Sequence, residues 1–543
     1  MKTYPLKQLV PCPRCIFFEG RQKKSVSLFA RAILSVLCVA SFVPFTLAQG
    51  DPKDIGKWGD LIKWPNVGIH VHVLPSGKVL FWGRREWKPT GNMPADGPDG
   101  DLDTHECTPR IWDPKNPDAA PLVATSPLLR DGPKEVNLFC SGHTFMPDGS
   151  LLVVGGHLSD SHGSNKVRIF NTANTWEEGV PMGGHLQGGR WYPTAVTLAD
   201  GGILVLSGDD QNGDRNPRLQ VFRNKQWDTL ETAPFNDLPY YPWMHVIPDG
   251  RVLLAGWSRP RKTQLLDTGG EGSWKVIGEF NGKDREYGSS VMYAPGKVLI
   301  TGGGIPPQET AEIIDATNAD PKWEFTGPMA KGRRHHNSTI LPDGTVLITG
   351  GSSGQGGPNG GFNDVNAPVK TAELWTPPKD GTGGKFIPMA AESESRLYHS
   401  TAVLLPDGRV LSAGGGEYRP NNVMQNDPQH SLRNAQIFSP PYLFKGPRPD
   451  ISGAPSEVAY GETFTVGTSN PNEINRVSWI RLSSVTHSFN QGQRINFLSS
   501  TVVGGALKVT APATPGECPP GHYMLFLLSA SGVPSESAII RIR

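Results

Sequence analysis

The chain has 543 residues, with 64 glycines, 50 prolines and only 19% charged residues. Beyond the N-terminus it has no long 3.6-period apolar stretch, which excludes a helical protein and points to an all-β fold. Lys and Arg (52) nearly balance Asp and Glu (51), and beyond the N-terminal segment there is no basic block, which argues against nucleic-acid or anionic-membrane partners.

In chain order, the first element is a targeting segment. Residues 1–26 carry Lys2, Lys7, Arg14, Arg21, Lys23 and Lys24. An apolar stretch from Leu28 to Leu47 follows, broken by Arg31 and Pro44, and Thr46-Leu47-Ala48 offers small residues at a cleavage site. Residues 1–48 are therefore expected to be a signal peptide, and the protein to be secreted. A membrane anchor is the rival reading, disfavoured because the run is short and interrupted. Removing 1–48 leaves 45 basic and 50 acidic residues, a net charge of −5. Cys12, Cys15 and Cys38 leave with it, so Cys107, Cys140 and Cys518 remain, an odd number in an exported chain. Pairing of Cys107 with Cys518 stays open.

Residues 49–440 repeat one phrase seven times: an apolar residue, a tight turn, then a Val/Leu/Ile run that closes on Gly. LPSGKVLFWG, MPDGSLLVVGG, LADGGILVLSG, IPDGRVLLAGW, APGKVLITGGG, LPDGTVLITGG and LPDGRVLSAGGG are the copies. Their turn glycines are Gly77, Gly149, Gly201, Gly250, Gly296, Gly344 and Gly408. A period near 50 residues, one hairpin per phrase, predicts a seven-bladed kelch-type β-propeller. The Gly/Asn-rich stretch 352–368 is a loop insertion. Nine residues before each turn glycine stand Gly68, Cys140, Tyr192, Tyr241, Tyr287, His335 and His399. These are expected at matching points on one strand of each blade, so they form a ring about the axis. Six of the seven are Cys, Tyr or His where packing would call for Val, Ile or Ala. That composition predicts a site on the axis. After a Pro-rich linker, residues 441–543 hold short alternating strands, expected to form an immunoglobulin-like β-sandwich.

NLFCSG around Cys140, GGRWYPT around Tyr192, RLYHSTAVLLPDGRV around Tyr398 and His399, and VTHSFNQGQRINF around His487 resemble the galactose oxidase and glyoxal oxidase family. So does the ending PPGHYMLFLLSASGVPSESAIIRI. The resemblance spans nearly all of the mature chain with the motifs in order. It implies one copper per chain, with Tyr192, His399 and His487 as equatorial ligands and Tyr398 as the axial one. Two imidazoles with oxygen donors suit Cu(II). It further implies a Tyr192–Cys140 thioether that carries a radical, and Tyr398 as the base. The partners would be a small alcohol or aldehyde and O2, the product H2O2, and the protein a monomer. His487 lies between two sandwich strands, so its loop would have to enter the propeller axis.

Departures from the galactose-oxidising pattern point away from galactose. The aromatic that stacks on the thioether there has no counterpart in SGDDQNGD (207–214), so Trp243 or Tyr241 is expected to take its place. A pocket phenylalanine corresponds to His335, a glutamine to Gln308, and an arginine to nothing near YYPWMH. Tyr287 is expected at the pocket mouth with His335 and Tyr241. The competing class is a non-enzymatic kelch propeller that binds carbohydrate. It would keep the repeats without the Cys140, Tyr192, Tyr398, His399 and His487 set. A binuclear or hydrolytic metal site would want carboxylates on the axis, and the ring has none.

Overall fold

The computed structural model describes residues 50–84, 108–124, 126–131, 134–135, 137–183, 188–256, 261–355, 361–379, 384–416 and 431–543. The expected signal peptide and Cys107 lie outside them. Among the described residues no helix is long and apolar enough to cross a membrane.

The protein is all-β. Among the described residues seven antiparallel sheets follow one another, each built on one copy of the phrase. Their innermost strands are His70–Val73, Asn137–Phe145, Thr194–Thr197, Met244–Val246, Ser289–Ala294, Asn337–Ile340 and Ser400–Leu404. Each turns back into a second buried strand through one of the seven phrase glycines, all at φ between +72° and +91°, where a side chain would be strained. The inner strands lie side by side around an axis. Neighbours without extensive backbone proximity are joined by side chains, His245 to Ser290 at 2.8 Å and His70 to His143 at 3.0 Å. The seventh sheet is completed by the N-terminal strand Lys57–Lys63, which pairs with Asn434–Ser439. Both ends of the ring are thus tied in one sheet.

The phrase's closing Gly-Gly has a steric reason. A Cβ on Gly414 would stand 2.4 Å from the Gly68 carbonyl oxygen and 2.5 Å from that of His399. Only glycine lets the seventh and first sheets approach that closely.

A buried arginine recurs two residues before the ring position in the third, fifth and sixth sheets, and three before it in the seventh. Arg190, Arg285, Arg333 and Arg396 each donate to a carbonyl at the end of their own sheet's second strand: Ser207, Gly302, Gly350 and Gly414. Each then reaches a polar side chain: Gln220, Glu312, Glu373, and Glu392 with Asn434. Burial lowers the Arg333 pKa, and Glu373 opposes that shift. Arg333→Ala would leave the Glu373 carboxylate buried without its cation. The expected cost is roughly 3–5 kcal/mol, read as a lowered midpoint in denaturant unfolding. A loss under about 1 kcal/mol would show that water replaces the guanidinium.

The C-terminal sandwich has a five-stranded sheet (Glu457–Val458, Ala538–Ile542, Gly521–Ser529, Ile474–Arg481, Ile495–Leu498) facing a three-stranded one (Thr463–Val466, Ala506–Thr510, Ser500–Val503). Strand alternation divides its residues between two cores. Trp479, Tyr523, Leu525 and Leu527 fill the sandwich, whereas Ile480, Met524, Phe526 and Leu528 join the propeller's core. Cys518 sits in the sandwich core, where burial raises its thiol pKa to about 11.

One hairpin leaves the sandwich. Its strands Ser484–Thr486 and Phe489–Asn490 extend the first sheet at its inner edge, with His70 opposite Thr486 and His72 opposite Ser484. This arm is clamped by glutamines. Gln491 Oε1 accepts from the backbone N–H groups of His143 (3.3 Å) and Ala195 (3.1 Å). Gln493 accepts from Ile340 N–H (2.7 Å) and donates to the Ser338 carbonyl (3.0 Å).

Candidate active site

The ring residues are not regular strand positions. Cys140, Tyr192, Tyr241, Tyr287, His335 and His399 all have positive φ, between +46° and +67°. Tyr192, Tyr241, Tyr287, His335 and His399 sit in a bend just before their strand begins. Cys140 sits at a register shift within its strand. Each non-glycine residue held in this region costs roughly 1–2 kcal/mol, so six in one ring mark a place where side-chain direction outranks stability. Backbone bonds carry the ring from sheet to sheet. Tyr192 N–H donates to the Cys140 carbonyl (2.9 Å), Tyr241 N–H to that of Tyr192 (3.0 Å) and His335 N–H to that of Tyr287 (2.8 Å).

The bends bring side chains to one buried centre. Tyr192 Oη lies 2.6 Å from Tyr398 Oη and 2.9 Å from His487 Nε2. His487 is delivered by the sandwich arm, also at positive φ (+48°). Its Nδ1 meets the Thr486 hydroxyl at 2.6 Å. The His399 ring stacks on Tyr398 with centroids 3.9 Å apart and lies 4.7 Å from His487. His399 Nδ1–H donates to the Gly416 carbonyl at 2.6 Å, so its Nε2 carries the lone pair. Adjacent residues Tyr398 and His399 reach one centre because the bend at His399 (φ +67°) breaks the strand's alternation. Cys140 shares a small buried cluster with Tyr192, Tyr241, Phe139, Val67 and Ile69. Burial raises the Tyr192 pKa well above the phenol's usual value, reinforced by Cys140 and Tyr398. Burial likewise lowers the His487 pKa, with His399 the next cause, so the imidazole is neutral and able to ligate.

Two imidazoles and two phenols, with no carboxylate, are a donor set that fits Cu(II). The Gly416 and Thr486 contacts orient the imidazoles from behind, as ligating histidines require. Among the described residues no group of three or more His, Cys, Asp or Glu is placed to share a metal. Tyr192, Tyr398, His399 and His487 could hold one.

The outer residues divide. Tyr241 stacks on Tyr192 (4.8 Å, 30°) and donates to the Ser141 carbonyl. Tyr287 and His335 stand against Tyr398 at 5.7 and 5.1 Å. His335 Nε2–H is committed to the Phe362 carbonyl at 2.5 Å. Trp243 is not at the centre: it packs with Ile247, Leu253 and Phe280 in a separate core. Gln308 donates to the Asp284 carbonyl (2.8 Å), within its own sheet's loops. The closest ring stack on Tyr192 is that of Trp191, 3.8 Å away and 4° from parallel. Its indole N–H points to His157 Nδ1 at 3.2 Å. Two further residues come from the 352–368 insertion. Phe362 packs on Tyr398 (4.9 Å), and Asn363 Oδ1 accepts from Tyr398 N–H (3.2 Å).

Residues 133–442 match the family model described as glyoxal oxidase N-terminus, and 448–542 match the galactose oxidase-like Early set domain. An aldehyde oxidase GLOX of Vitis pseudoreticulata is 31% identical over 548 residues, covering 90% of this chain and 97% of the relative. A galactose oxidase of Gibberella zeae is 28% identical over 525 residues, covering 90% and 71%. A solved fungal alcohol oxidase in complex with copper superposes with a TM-score of 0.74 at 24% identity, covering 90% of this chain and all of that one. The fold and the family models define an oxidase built as a propeller with an immunoglobulin-like C-terminal domain. The chain belongs to the glyoxal oxidase family.

Proposed function

We propose that this protein is a secreted copper-radical oxidase, exported after removal of residues 1–48, that oxidises small aldehydes or simple primary alcohols. The observation that carries the reading is the Tyr192 hydroxyl. It lies within hydrogen-bond reach of both Tyr398 and His487, under a stacked Trp191 and in one buried cluster with Cys140.

Oxidising an alcohol removes two electrons and two protons, and O2 takes both to become H2O2. Tyr192, Tyr398, His399 and His487 would hold the copper, which would supply one oxidising equivalent and the route to O2. The chain supplies the rest. Tyr398 accepts the hydroxyl proton. Oxidised Tyr192 takes a hydrogen atom from the adjacent carbon. A thioether to Cys140 lowers the potential of that phenoxyl, and the faces of Trp191 and Tyr241 spread its spin and exclude water.

The walls nearest Tyr398 are the rings of Tyr287, Phe362 and His335. Their polar atoms include His335 Nε2, which the Phe362 carbonyl already engages. A sugar needs several oriented donors, and losing one charged hydrogen bond costs about 1.5–3 kcal/mol, roughly ten- to hundredfold. Peroxide release by the copper-loaded protein should therefore be faster, by kcat/KM, on glycolaldehyde and methylglyoxal than on galactose. Preference for galactose would overturn the substrate assignment, and no peroxide from any member of a broad alcohol and aldehyde panel would overturn the function.

A further inference from the structure

Three buried histidines beside the site have no part in the chemistry above. His70 and His72 project from the same face of the first sheet's inner strand, His143 comes from the second sheet, and Trp82 stacks on both His70 (5.1 Å) and His72 (4.5 Å). Burial keeps all three neutral, His143 with a pKa of about 3.

Their hydrogen bonds have one consistent direction, and it is set at Cys140. The Cys140 backbone N–H can only donate, and it meets His70 Nε2 at 3.2 Å. His70 therefore carries its hydrogen on Nδ1, which faces His143 Nε2 at 3.0 Å. His143 must accept there, so its hydrogen is on Nδ1, 2.6 Å from Ser484 Oγ. The Ser484 hydroxyl turns to the nearer of its two acceptors, His72 Nδ1 at 3.0 Å rather than the His143 carbonyl at 3.4 Å. The tautomers of His70 and His143 are thus fixed by their neighbours. The chain joins the first sheet, the second sheet and the sandwich arm to one backbone N–H. That N–H belongs to a residue at φ +60°, outside the regular ladder of its own strand. A strained residue persists only where its surroundings over-determine it.

We propose that His70 is a positioning residue for Cys140: the line Ser484–His143–His70 presents a fixed lone pair to the Cys140 N–H and holds the sulfur where it couples to Tyr192. The proposal rests on reading Cys140 and Tyr192 as a linked pair. In the coupling a C–S bond forms between the Cys140 sulfur and a ring carbon of Tyr192. The S–H and C–H bonds break, and the two electrons and two protons pass to O2, giving H2O2, with copper as co-reactant. His70 takes no proton in that step.

The test follows linkage itself. Copper-free wild type, His70→Leu, His70→Gln and Ser484→Ala are loaded with copper in air. The linked fraction is read with time by intact mass (two hydrogens lost) and by peptide map, alongside the Tm of each protein. His70→Leu should link roughly tenfold slower in folded protein, the factor that one lost hydrogen bond is worth. His70→Gln, which restores an acceptor for the N–H, should recover most of the rate. Ser484→Ala removes only a hydroxyl, takes away the acceptor of the His143 Nδ1–H and loosens the line behind His70, and should slow linkage several-fold. Wild-type linkage rates in His70→Leu and Ser484→Ala would overturn the positioning role, as would a slow His70→Leu that His70→Gln does not rescue. If His70→Leu does not fold, Ser484→Ala decides alone. If wild type itself never links, the Cys140–Tyr192 reading has failed and this proposal falls with it.

Discussion

Tyr192→Phe is expected to reduce oxidase activity by roughly 10⁴-fold or more, the scale seen when a residue acting as part of a catalytic unit is removed. One oxygen atom serves two roles here. On the proposed function it would be a donor to the metal, 2.9 Å from His487 Nε2 and 2.6 Å from Tyr398 Oη, and the radical centre that takes hydrogen from substrate. The ring that remains keeps its stack on Trp191 and Tyr241, and the backbone bonds from Tyr192 to Cys140 and from Tyr241 to Tyr192 do not involve the hydroxyl. Stability should fall only by the cost of leaving buried partners underserved, about 1–3 kcal/mol. The variant should be folded, should bind copper more weakly, and should show no mass loss at Cys140 after aerobic loading. Activity within tenfold of wild type would place the radical on another residue, with Trp191 the first to examine.

What the sequence disclosed follows from which physical constraints leave a mark in residue identity. A hairpin turn at positive φ demands glycine, so seven turns left seven glycines and a readable period. An axis lined with Tyr, Cys and His stands out against the Val and Ile that packing prefers. Conformation left no such mark. Six non-glycine residues adopt left-handed φ, and nothing in their identity announces it; they were expected only at matching points on one strand of each blade. That bend is why the stacking partner of Tyr192 was sought in Trp243 or Tyr241. On a strand, adjacent side chains point to opposite faces, so Trp191 would turn away from Tyr192. The bend folds its ring onto its neighbour instead. Phe362 was hidden in an insertion whose Gly and Asn content reads as a featureless loop. Arg190, Arg285, Arg333 and Arg396 did carry a signal, an arginine two or three residues before the ring residue, visible once the ring register is known. His70 and His72, in HVHV, read as ordinary strand alternation, and only the meeting with His143 and Ser484 gives them a role.

The arm makes a second large effect separable from folding. His487→Ala is expected to weaken copper binding by at least about 100-fold, beyond the 10–100-fold usual for a residue that merely supports a ligand, and to bring oxidase activity to background. The arm itself should stay in place, because its anchors are elsewhere. Val485 pairs with Val71, Gln491 and Gln493 hold the inner strands of the second, third and sixth sheets, and Arg494 donates to the Val246 carbonyl at 2.8 Å. Both residues carry a Cβ, so alanine at φ +48° adds little strain beyond what histidine already bears. Gln491→Leu should show the opposite signature. It strands two buried N–H groups, at about 1–3 kcal/mol each, and so should lower the Tm clearly while His487 remains available to the metal. Copper titration and thermal unfolding of the two variants separate ligand from clamp. Wild-type copper affinity in His487→Ala would mean that the arm is a structural plug in the axis, and that the nitrogen facing Tyr192 Oη plays no part in holding the metal.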